Sequence, residues 1–248
     1  MSTRDWNAAV YDRVSDPQFE WGVELVERLS TEGISSALDA GCGSGRVTVE
    51  LAKRLPGARI LACDAAPSMV ELARQALPEA EVFECDLLEL TLDRPVDLVF
   101  SSAVFHWIPD HDRLFERLHA ALTPGGRLVA QCGGKGNIKR MHDAANAVAA
   151  ESPFAEHLDG WKGPWVFASP EETAERLERA GFGEIRTWLE RKDAQPADPR
   201  SFTRTVNLRL HLDRLPEELR EPFVEAVLER NPKPFVLEYV RLNIEATA

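Results

Sequence analysis

The sequence predicts an α/β fold: a doubly wound, mostly parallel seven-stranded sheet with an antiparallel edge strand and helical insertions. Between residues 37 and 132, short apolar runs alternate with stretches whose apolar residues recur at helical spacing. The runs are almost continuously apolar, as expected of parallel strands that helices cover on both faces. Right-handed crossovers then restrict the topology to the doubly wound family.

Five strands are predicted in the first part of the chain. Pro56 and Gly57 end the helix that follows the first strand, and Pro67 suits the first turn of the helix that follows the second. A third helix is expected to stop at the turn TPGG, residues 123–126. The five predicted strands are 37–39, 59–64, 82–86, 96–101 and 127–132.

The second part of the chain is expected to add two strands and two mostly helical regions. Ser169 and Glu172 have capping-box spacing, so a helix should begin there and end near Gly181. Strands are expected at 184–190 and, with alternating apolar residues typical of an edge strand, at 236–244. Residues 198–230 are expected to be helical, with breaks at Pro216 and Pro222.

We expect a single domain over residues 1–248, because the sequence shows no internal repeat and no flexible linker. Residues 1–30 are assigned to an N-terminal lid. Residues 133–168 and 196–232 are assigned to helical cap or insert regions, the first of them lying over the top of the sheet.

Composition and charge narrow the function classes. The 248 residues are 44% hydrophobic and 28% charged, as in ordinary globular proteins. The apolar runs are too short to span a bilayer and the N-terminus has no signal-peptide pattern, so we expect a cytoplasmic protein without membrane association. A net charge of −12 argues against nucleic acid as a partner. A small-molecule partner is expected, with the chain a monomer or homodimer.

The cysteines are expected to be reduced residues close to a pocket. Each falls at or just past the end of a predicted strand, and none has C-x-x-C spacing. Because structural zinc sites usually use close ligand pairs, no metal is expected. The four are Cys42, Cys63, Cys85 and Cys132.

A glycine-rich loop follows the first predicted strand. Gly41, Gly43 and Gly45 remove the side chains that would keep a nucleotide away from the backbone N–H groups. The spacing is G-x-G-x-G rather than the G-x-G-x-x-G of dinucleotide-binding enzymes. This favours S-adenosylmethionine (SAM), which has no pyrophosphate, although a simple strand-to-helix turn is the alternative.

Acidic residues end three successive predicted strands. Asp64, nineteen residues beyond Gly45, is placed to accept hydrogen bonds from both ribose hydroxyls. Asp86 is placed to accept one from the adenine amino group, and Asp39 to face the ammonium of the methionine part, directly or through water. An exposed turn carboxylate is the alternative for Asp64 or Asp86 alone, but the three would meet at one edge of the sheet.

These residues resemble those of the class I SAM-dependent methyltransferases, which have a Rossmann-like fold. The segments LDAGCGSG (38–45), LACDAAPSMVELAR (61–74) and ECDLLEL (84–90) are similar to three motifs of that class. Trp6, Asn7 and Tyr11, with SSAVFHWIPDH (101–111) and LTPGGRLVAQ (122–131), resemble the trans-aconitate methyltransferases. After Cys132 the resemblance fades, in the region that normally forms the substrate pocket.

The resemblance implies roles for individual residues. Gly41, Gly43, Gly45, Asp64 and Asp86 would bind SAM, Ala65, Met69 and Leu87 would line the adenosine pocket, and Ser101 and Ser102 would flank the methionine end. His106 and Trp107 would face the transferred methyl group, and Trp6 and Tyr11, with Trp21, would form a lid over the cofactor.

Methyl transfer is an in-line displacement in which the protein aligns the nucleophile and excludes water. A carboxylate acceptor needs no base, whereas for a hydroxyl or amine His106 is the candidate base. A packing role is the alternative for His106, and also for Trp107, Trp161 and Trp165. Arg140, Arg186 and Arg204 are the type of residue that clamps a carboxylate, but solvated surface positions are expected for them.

The sequence therefore predicts an O-methyltransferase of a small organic acid. An N- or C-methyltransferase of another small molecule is the near alternative. A nucleotide-binding oxidoreductase, and a methyltransferase-like protein that only binds a partner, are the alternatives from other classes.

Overall fold

The computed structural model describes residues 16–231 and 233–248, and the lid residues predicted at Trp6 and Tyr11 lie outside these ranges. The described chain forms one seven-stranded sheet. Its strands are β1 (Ser36–Ala40), β2 (Arg59–Asp64), β3 (Glu81–Glu84), β4 (Val96–Ser102), β5 (Leu122–Gly133), β6 (Gly183–Ala194) and β7 (Leu237–Thr247).

The strand order in the sheet is β3-β2-β1-β4-β5-β7-β6. The first five strands pair in parallel. The strand order reverses between the neighbours β1 and β4, because the chain continues from β1 to β2 on one side and from β4 to β5 on the other. Loops at the carboxyl ends of such neighbours leave a crevice, which is where ligands bind in open α/β sheets. The doubly wound, mostly parallel fold is confirmed.

The antiparallel strand near the end of the chain is present, but it lies one position in from the edge. β7 is antiparallel both to β5 and to β6, so β6 takes the edge instead. Both polar and apolar side chains of β7 are covered: Arg241 and Asn243 are as buried as Leu242 and Ile244. The two apolar residues belong to the same core cluster as Leu177, and on the other face Arg241 lies over the ring of Trp21.

Seven longer helices accompany the sheet in the described residues. The helix at Ser169 begins with the predicted capping box, in which Ser169 and Glu172 bond each other's backbone N–H, and it ends at left-handed Gly181. The helices are α1 (Asp16–Glu27), α2 (Arg46–Arg54), α3 (Pro67–Ala76), α4 (His111–Ala120), α5 (Lys139–Ala149), α6 (Pro170–Ala180) and α7 (Glu217–Glu229).

The expected break at Pro222 is wrong. Helix α7 follows Pro216 directly and runs on through Pro222. Proline removes one helical hydrogen bond and crowds the preceding turn. Here Phe223, Val224 and Val227 are fully buried on one face of α7, and that packing holds the helix together across the proline.

The core has two layers on the sheet and a third cluster beside it. Leu114 of α4 and Leu177 of α6 pack with Val99 on one face, while Leu51 of α2 and Phe100 pack on the other. The third cluster is made by the predicted cap regions, since α5 and α7 pack there with the first residues of β7. The assignment of the whole chain to a single domain stays a prediction.

Candidate active site

The glycine loop joins β1 to α2, and its three glycines have positive φ, 86° at Gly41, 54° at Gly43 and 84° at Gly45. The N–H groups of Gly41 and Cys42 both donate to the carbonyl of Cys63, at 2.8 and 2.9 Å, and so tie the loop to β2. A Cβ at Gly43 would meet nothing within 4 Å. The loop is therefore fixed in place, with open space over its centre.

Asp64, the last residue of β2, holds that loop from beneath. One carboxylate oxygen accepts the N–H of Gly43 and the other that of Ala66, both at 2.9 Å. Burial raises the pKa of Asp64 even though these bonds favour the ionised form. Each oxygen keeps a further lone pair, so the carboxylate retains the capacity to accept two hydroxyl groups.

Asp39 lies at the end of β1 and is only 2% exposed. It accepts a 2.6 Å hydrogen bond from Oγ1 of Thr48, on the first turns of α2. Burial raises its pKa to about 7, and the charge of Asp64 adds to this effect. A cation placed beside these two acids would lower both pKa values. Thr48 could not be identified from sequence, because its contact with Asp39 depends on how α2 is rotated.

The residues predicted on the adenosine side meet at the ends of β2 and β3. The N–H of Cys85 donates to the carbonyl of Asp64 at 3.0 Å, which brings the two strand ends together. Asp86 is exposed and caps the short 3₁₀ turn Leu87–Glu89 by accepting the N–H of Leu88. Two side chains, Met69 and Leu87, are buried and Ala65 is half-buried.

The two serines predicted near the methionine end have different surroundings. Ser101 is buried, and its hydroxyl donates to the carbonyl of Ala40 at 2.7 Å, linking β4 to β1. Ser102 is half-buried beside α1, where a Cβ on Gly22 would lie 3.2 Å from its Oγ and 2.6 Å from Cγ2 of Val47. Gly22 thus lets α1 approach α2 closely, a contact that no local sequence pattern predicts.

A second site, a cavity, lies beyond β4 and is lined by His106, Trp107 and residues of both predicted cap regions. Backbone strain concentrates there: Ala103 and Ile138, two of the three described non-glycine residues with positive φ, both line it, at 63° and 41°. Such strain persists only where the surrounding structure imposes it, and it clusters at functional sites. The cap regions contribute His142, Trp165, Phe167, Asn137 and Asn207.

His106 stands on a short 3₁₀ turn, Phe105–Trp107, and is almost completely buried. Its Nδ1 accepts the N–H of Gly133, the last residue of β5, at 3.2 Å. The ring stacks on Phe167 with centroids 5.9 Å apart and lies 5.1 Å from the ring of Trp107. Burial, reinforced by the charge of Arg241, holds its pKa well below the usual 6.5, so the imidazole is neutral at neutral pH.

Arg241 of β7 also lines the cavity, and sequence analysis missed it. It is 2% exposed, and its guanidinium lies over the ring of Trp21 at 5.1 Å. Trp21, expected as part of a lid, is itself buried against Tyr239. The signal was an arginine within an alternating strand pattern, but such a pattern is typical of a strand with one face in solvent, where the arginine would be expected.

A polar chain orients Arg241. Its Nε donates to Oε1 of Gln131 at 3.3 Å, and Nε2 of Gln131 donates to Oδ1 of Asn243 at 2.8 Å. Asn243 in turn donates to Glu190 at 3.5 Å. Because an arginine only donates and an ionised glutamate only accepts, the two ends fix the direction of every bond between them.

The arginines proposed from sequence as carboxylate clamps lie elsewhere. Each is exposed by 43% or more of its side chain and each pairs with a glutamate on the surface, as the expected solvated position requires. The pairs are Arg140 with Glu238, Arg186 with Glu245 and Arg204 with Glu221.

The four cysteine thiols are free, three of them buried and Cys85 partly exposed. Within residues 16–231 and 233–248, no three His, Cys, Asp or Glu side chains are grouped so as to hold a metal ion. In the same ranges, none of the helices combines the length and the apolar character needed to cross a membrane.

Comparison with known proteins identifies the family to which the chain belongs. The family profile described as "Methyltransferase domain" matches residues 37–126, which include the glycine loop and His106. The trans-aconitate 2-methyltransferase of Methylobacterium radiotolerans is 33% identical, over 90% of this chain and 87% of that protein. The chain belongs to the trans-aconitate methyltransferase family. A second relative of the same name, from Variovorax paradoxus, is 37% identical over 62% of this chain and 60% of its own length.

This methyltransferase is thus a SAM-dependent enzyme of class I. Solved structures agree with the fold: the YcgJ protein of Bacillus subtilis superposes with a TM-score of 0.64 at 14% identity, covering 92% of this chain and 98% of that one. Phosphoethanolamine N-methyltransferase 2 of Haemonchus contortus, solved with SAM, gives 0.61 at 18% identity, covering 97% of this methyltransferase and 56% of that chain. The open loop at Gly43 and the acids around it fit a cofactor that carries a ribose and a positive charge.

Proposed function

We propose that this methyltransferase transfers the methyl group of SAM to a carboxylate of a small organic acid of the trans-aconitate type, giving a methyl ester. The observation that carries the proposal is the buried guanidinium of Arg241 in the wall of the cavity that His106 and Trp107 also line. The names of the relatives point to the same kind of acceptor.

A guanidinium is the side chain best suited to a carboxylate, because its planar donors match the two oxygens. Arg241 is held by Gln131 and by the ring of Trp21, so little side-chain freedom remains to be lost when an acid binds. Burial strengthens the interaction, since water does not screen the charge there. Tyr239, Asn137 and Asn207 add polar groups around the same cavity.

For the cofactor, we assign SAM to the loop between β1 and α2 and to the ends of β2 and β3. Asp64 would accept the ribose hydroxyls, Asp86 the adenine amino group, and Asp39 would lie towards the ammonium. The remaining contacts are assigned to Gly41, Gly43, Gly45, Ala65, Met69, Leu87, Ser101 and Ser102. When bound, SAM supplies an electrophilic methyl group on a sulfonium.

The protein then has only to align the acceptor carboxylate with the methyl group of SAM. A carboxylate is ionised at neutral pH, so no proton has to be removed before it attacks. Arg241 fixes the acid, and the aromatic walls at Trp107, Trp165 and Phe167 exclude water from the path of the methyl group.

The direct test incubates the protein with SAM and trans-aconitate, its analogues with fewer carboxylates, and a panel of amines and alcohols, with mass spectrometry of the products. We expect methyl esters of acids. Arg241→Gln should raise the KM for the acid about 100-fold, as loss of a charged hydrogen-bond partner requires, with the Kd for SAM unchanged. Arg186→Gln, on the exposed surface, is the matched control. Methylation of amines or alcohols with no acid accepted would refute the proposal.

A further inference from the structure

We infer that His106 donates a hydrogen bond to the acceptor carboxylate through its Nε2–H and removes no proton, because Gly133 fixes the tautomer of its ring. The identity of the acceptor rests on the proposed function. The tautomer itself rests only on the structure.

The hydrogen bond from Gly133 decides where the ring proton is. A backbone N–H can only donate, so the Nδ1 that receives it, at 3.2 Å, must present a lone pair. A neutral imidazole carries a single N–H, which is then on Nε2. Nε2 makes no hydrogen bond within the described parts of the chain, and His106 forms part of the cavity wall. The free N–H is therefore available to a ligand.

The position of Gly133 is itself fixed. It is the register partner of Arg241 in the pairing of β5 with β7. A Cβ there would lie 2.8 Å from Cε1 of Phe167 and 3.0 Å from Nδ2 of Asn137, so the strand end is closely packed. Phe167 also stacks on the His106 ring. The imidazole is thus held between a fixed donor and a fixed aromatic face.

Burial and the groups that face the ring together keep it neutral. Burial is the main reason that its pKa lies well below 6.5, and the charge of Arg241 acts in the same direction, as do His111 and His142. For His106 to act as a base, Nε2 would need a lone pair, and the proton would then sit on Nδ1 and point at the N–H of Gly133. That arrangement places two donors against each other in a buried site, which is costly.

A carboxylate acceptor requires a hydrogen-bond donor at the position of His106, not a base. A carboxylate brings four lone pairs and no proton to remove, so it needs N–H groups around it. Arg241 and His106 would supply them from neighbouring positions at the end of the sheet. A hydroxyl or amine acceptor would instead require a base that this tautomer does not offer.

The first test is the nitrogen NMR spectrum of the histidine-labelled protein, recorded without SAM or acceptor. The signals of His106 are assigned as those missing from His106→Gln. We expect protonated Nε2 and unprotonated Nδ1 throughout pH 6 to 8. A proton on Nδ1, or an imidazolium in that range, overturns the inference, and neither outcome depends on which acceptor the enzyme uses.

The second test compares His106→Gln with His106→Leu. The glutamine amide reaches about as far as Nε2 and can donate, whereas leucine cannot, so we expect Gln to keep kcat/KM within about tenfold of the native value and Leu to lose a further 10- to 100-fold. At saturating SAM, whose positive charge lowers the pKa of Asp39, the native kcat/KM for the acceptor should also be flat from pH 6.5 to 9. Equal losses in both variants, or a rise of activity with a single ionisation at saturating SAM that is absent in His106→Gln, would overturn the donor role. Calorimetry with the demethylated cofactor checks that each variant is folded.

If amines or alcohols prove to be the acceptors, the proposed function fails while the NMR result still reports the tautomer. If acids are accepted but Gln and Leu are equally inactive, the proposed function stands and the donor role of His106 fails.

Discussion

Gly41 of the glycine loop lies so close to Val104 that a methyl group on its Cα would be 2.4 Å from Cγ2 of Val104. Val104 precedes the 3₁₀ turn that carries His106. The loop assigned to the cofactor and the turn assigned to the acceptor are therefore in direct contact, and a disturbance of one is passed to the other.

Gly41→Ala is expected to weaken SAM binding and to destabilise the protein. The substitution adds strain at a φ of 86° and a clash with Val104. Gly57→Ala is a matched control, because Gly57 has a φ of 83° and nothing within 4 Å of its Cβ. We expect Gly57→Ala to cost about 1 kcal/mol and Gly41→Ala about 2 kcal/mol more in denaturant unfolding.

The clash has its own control. Adding Val104→Ala to Gly41→Ala should restore part of the lost stability, since the contact is removed while the φ strain remains. Additive losses in the double variant would mean that the contact between the two residues is not the cause.

Asp39→Asn is expected to stabilise the cofactor-free protein at high pH. The pKa of Asp39 is about 7 when folded and 3.8 in the unfolded reference, so between pH 4 and pH 7 the unfolded state releases a proton that the folded state keeps. Native stability therefore falls as pH rises through this window. Asparagine does not ionise, and at pH 8 the variant should be more stable by up to about 4 kcal/mol.

Urea unfolding at pH 4 and pH 8 measures this difference. Asparagine can still accept the hydrogen bond of Thr48, so the two proteins should differ little at pH 4. A difference that is the same at both pH values would mean that Asp39 does not titrate in this range.

Asp64→Ala is expected to lower the affinity for SAM at least 100-fold. The change removes the proposed ribose acceptor and also the bonds to the N–H groups of Gly43 and Ala66, each worth about 1.5–3 kcal/mol as a bond to a charged group. Asp86→Ala removes an exposed carboxylate that accepts one hydrogen bond, from the N–H of Leu88, so the affinity for SAM should fall only about tenfold. Calorimetry with the demethylated cofactor gives both Kd values, and an unchanged Kd for Asp64→Ala contradicts the assignment.

The local features of the fold were predictable because they are encoded over a few residues. β2 runs over the residues predicted for it, and the capping box at Ser169 forms as expected. The glycine loop adopts the positive φ values that its composition allows. Strand ends, turns and caps depend on neighbours in the chain, which a pattern displays directly.

The cavity lined by His106 and Arg241 was not predictable, because its walls come from segments distant in sequence. Arg241 became a pocket residue because α1 and the cap regions lie over its face of β7, and Thr48 meets Asp39 only through the rotation of α2. Pro222 continues a helix because the buried face of α7 outweighs a local rule. These outcomes are set by tertiary packing, which overrides propensity.

β7 follows β6 in the chain but lies between β5 and β6 in the sheet. During synthesis, β6 leaves the ribosome with no strand to pair with, and the parallel strands that carry the glycine loop are already complete. The parallel strands β1 to β5, with the glycine loop, can thus fold before β7 is made. Arg241, which we propose binds the acceptor, and the edge strand β6 therefore join the sheet in the same late step.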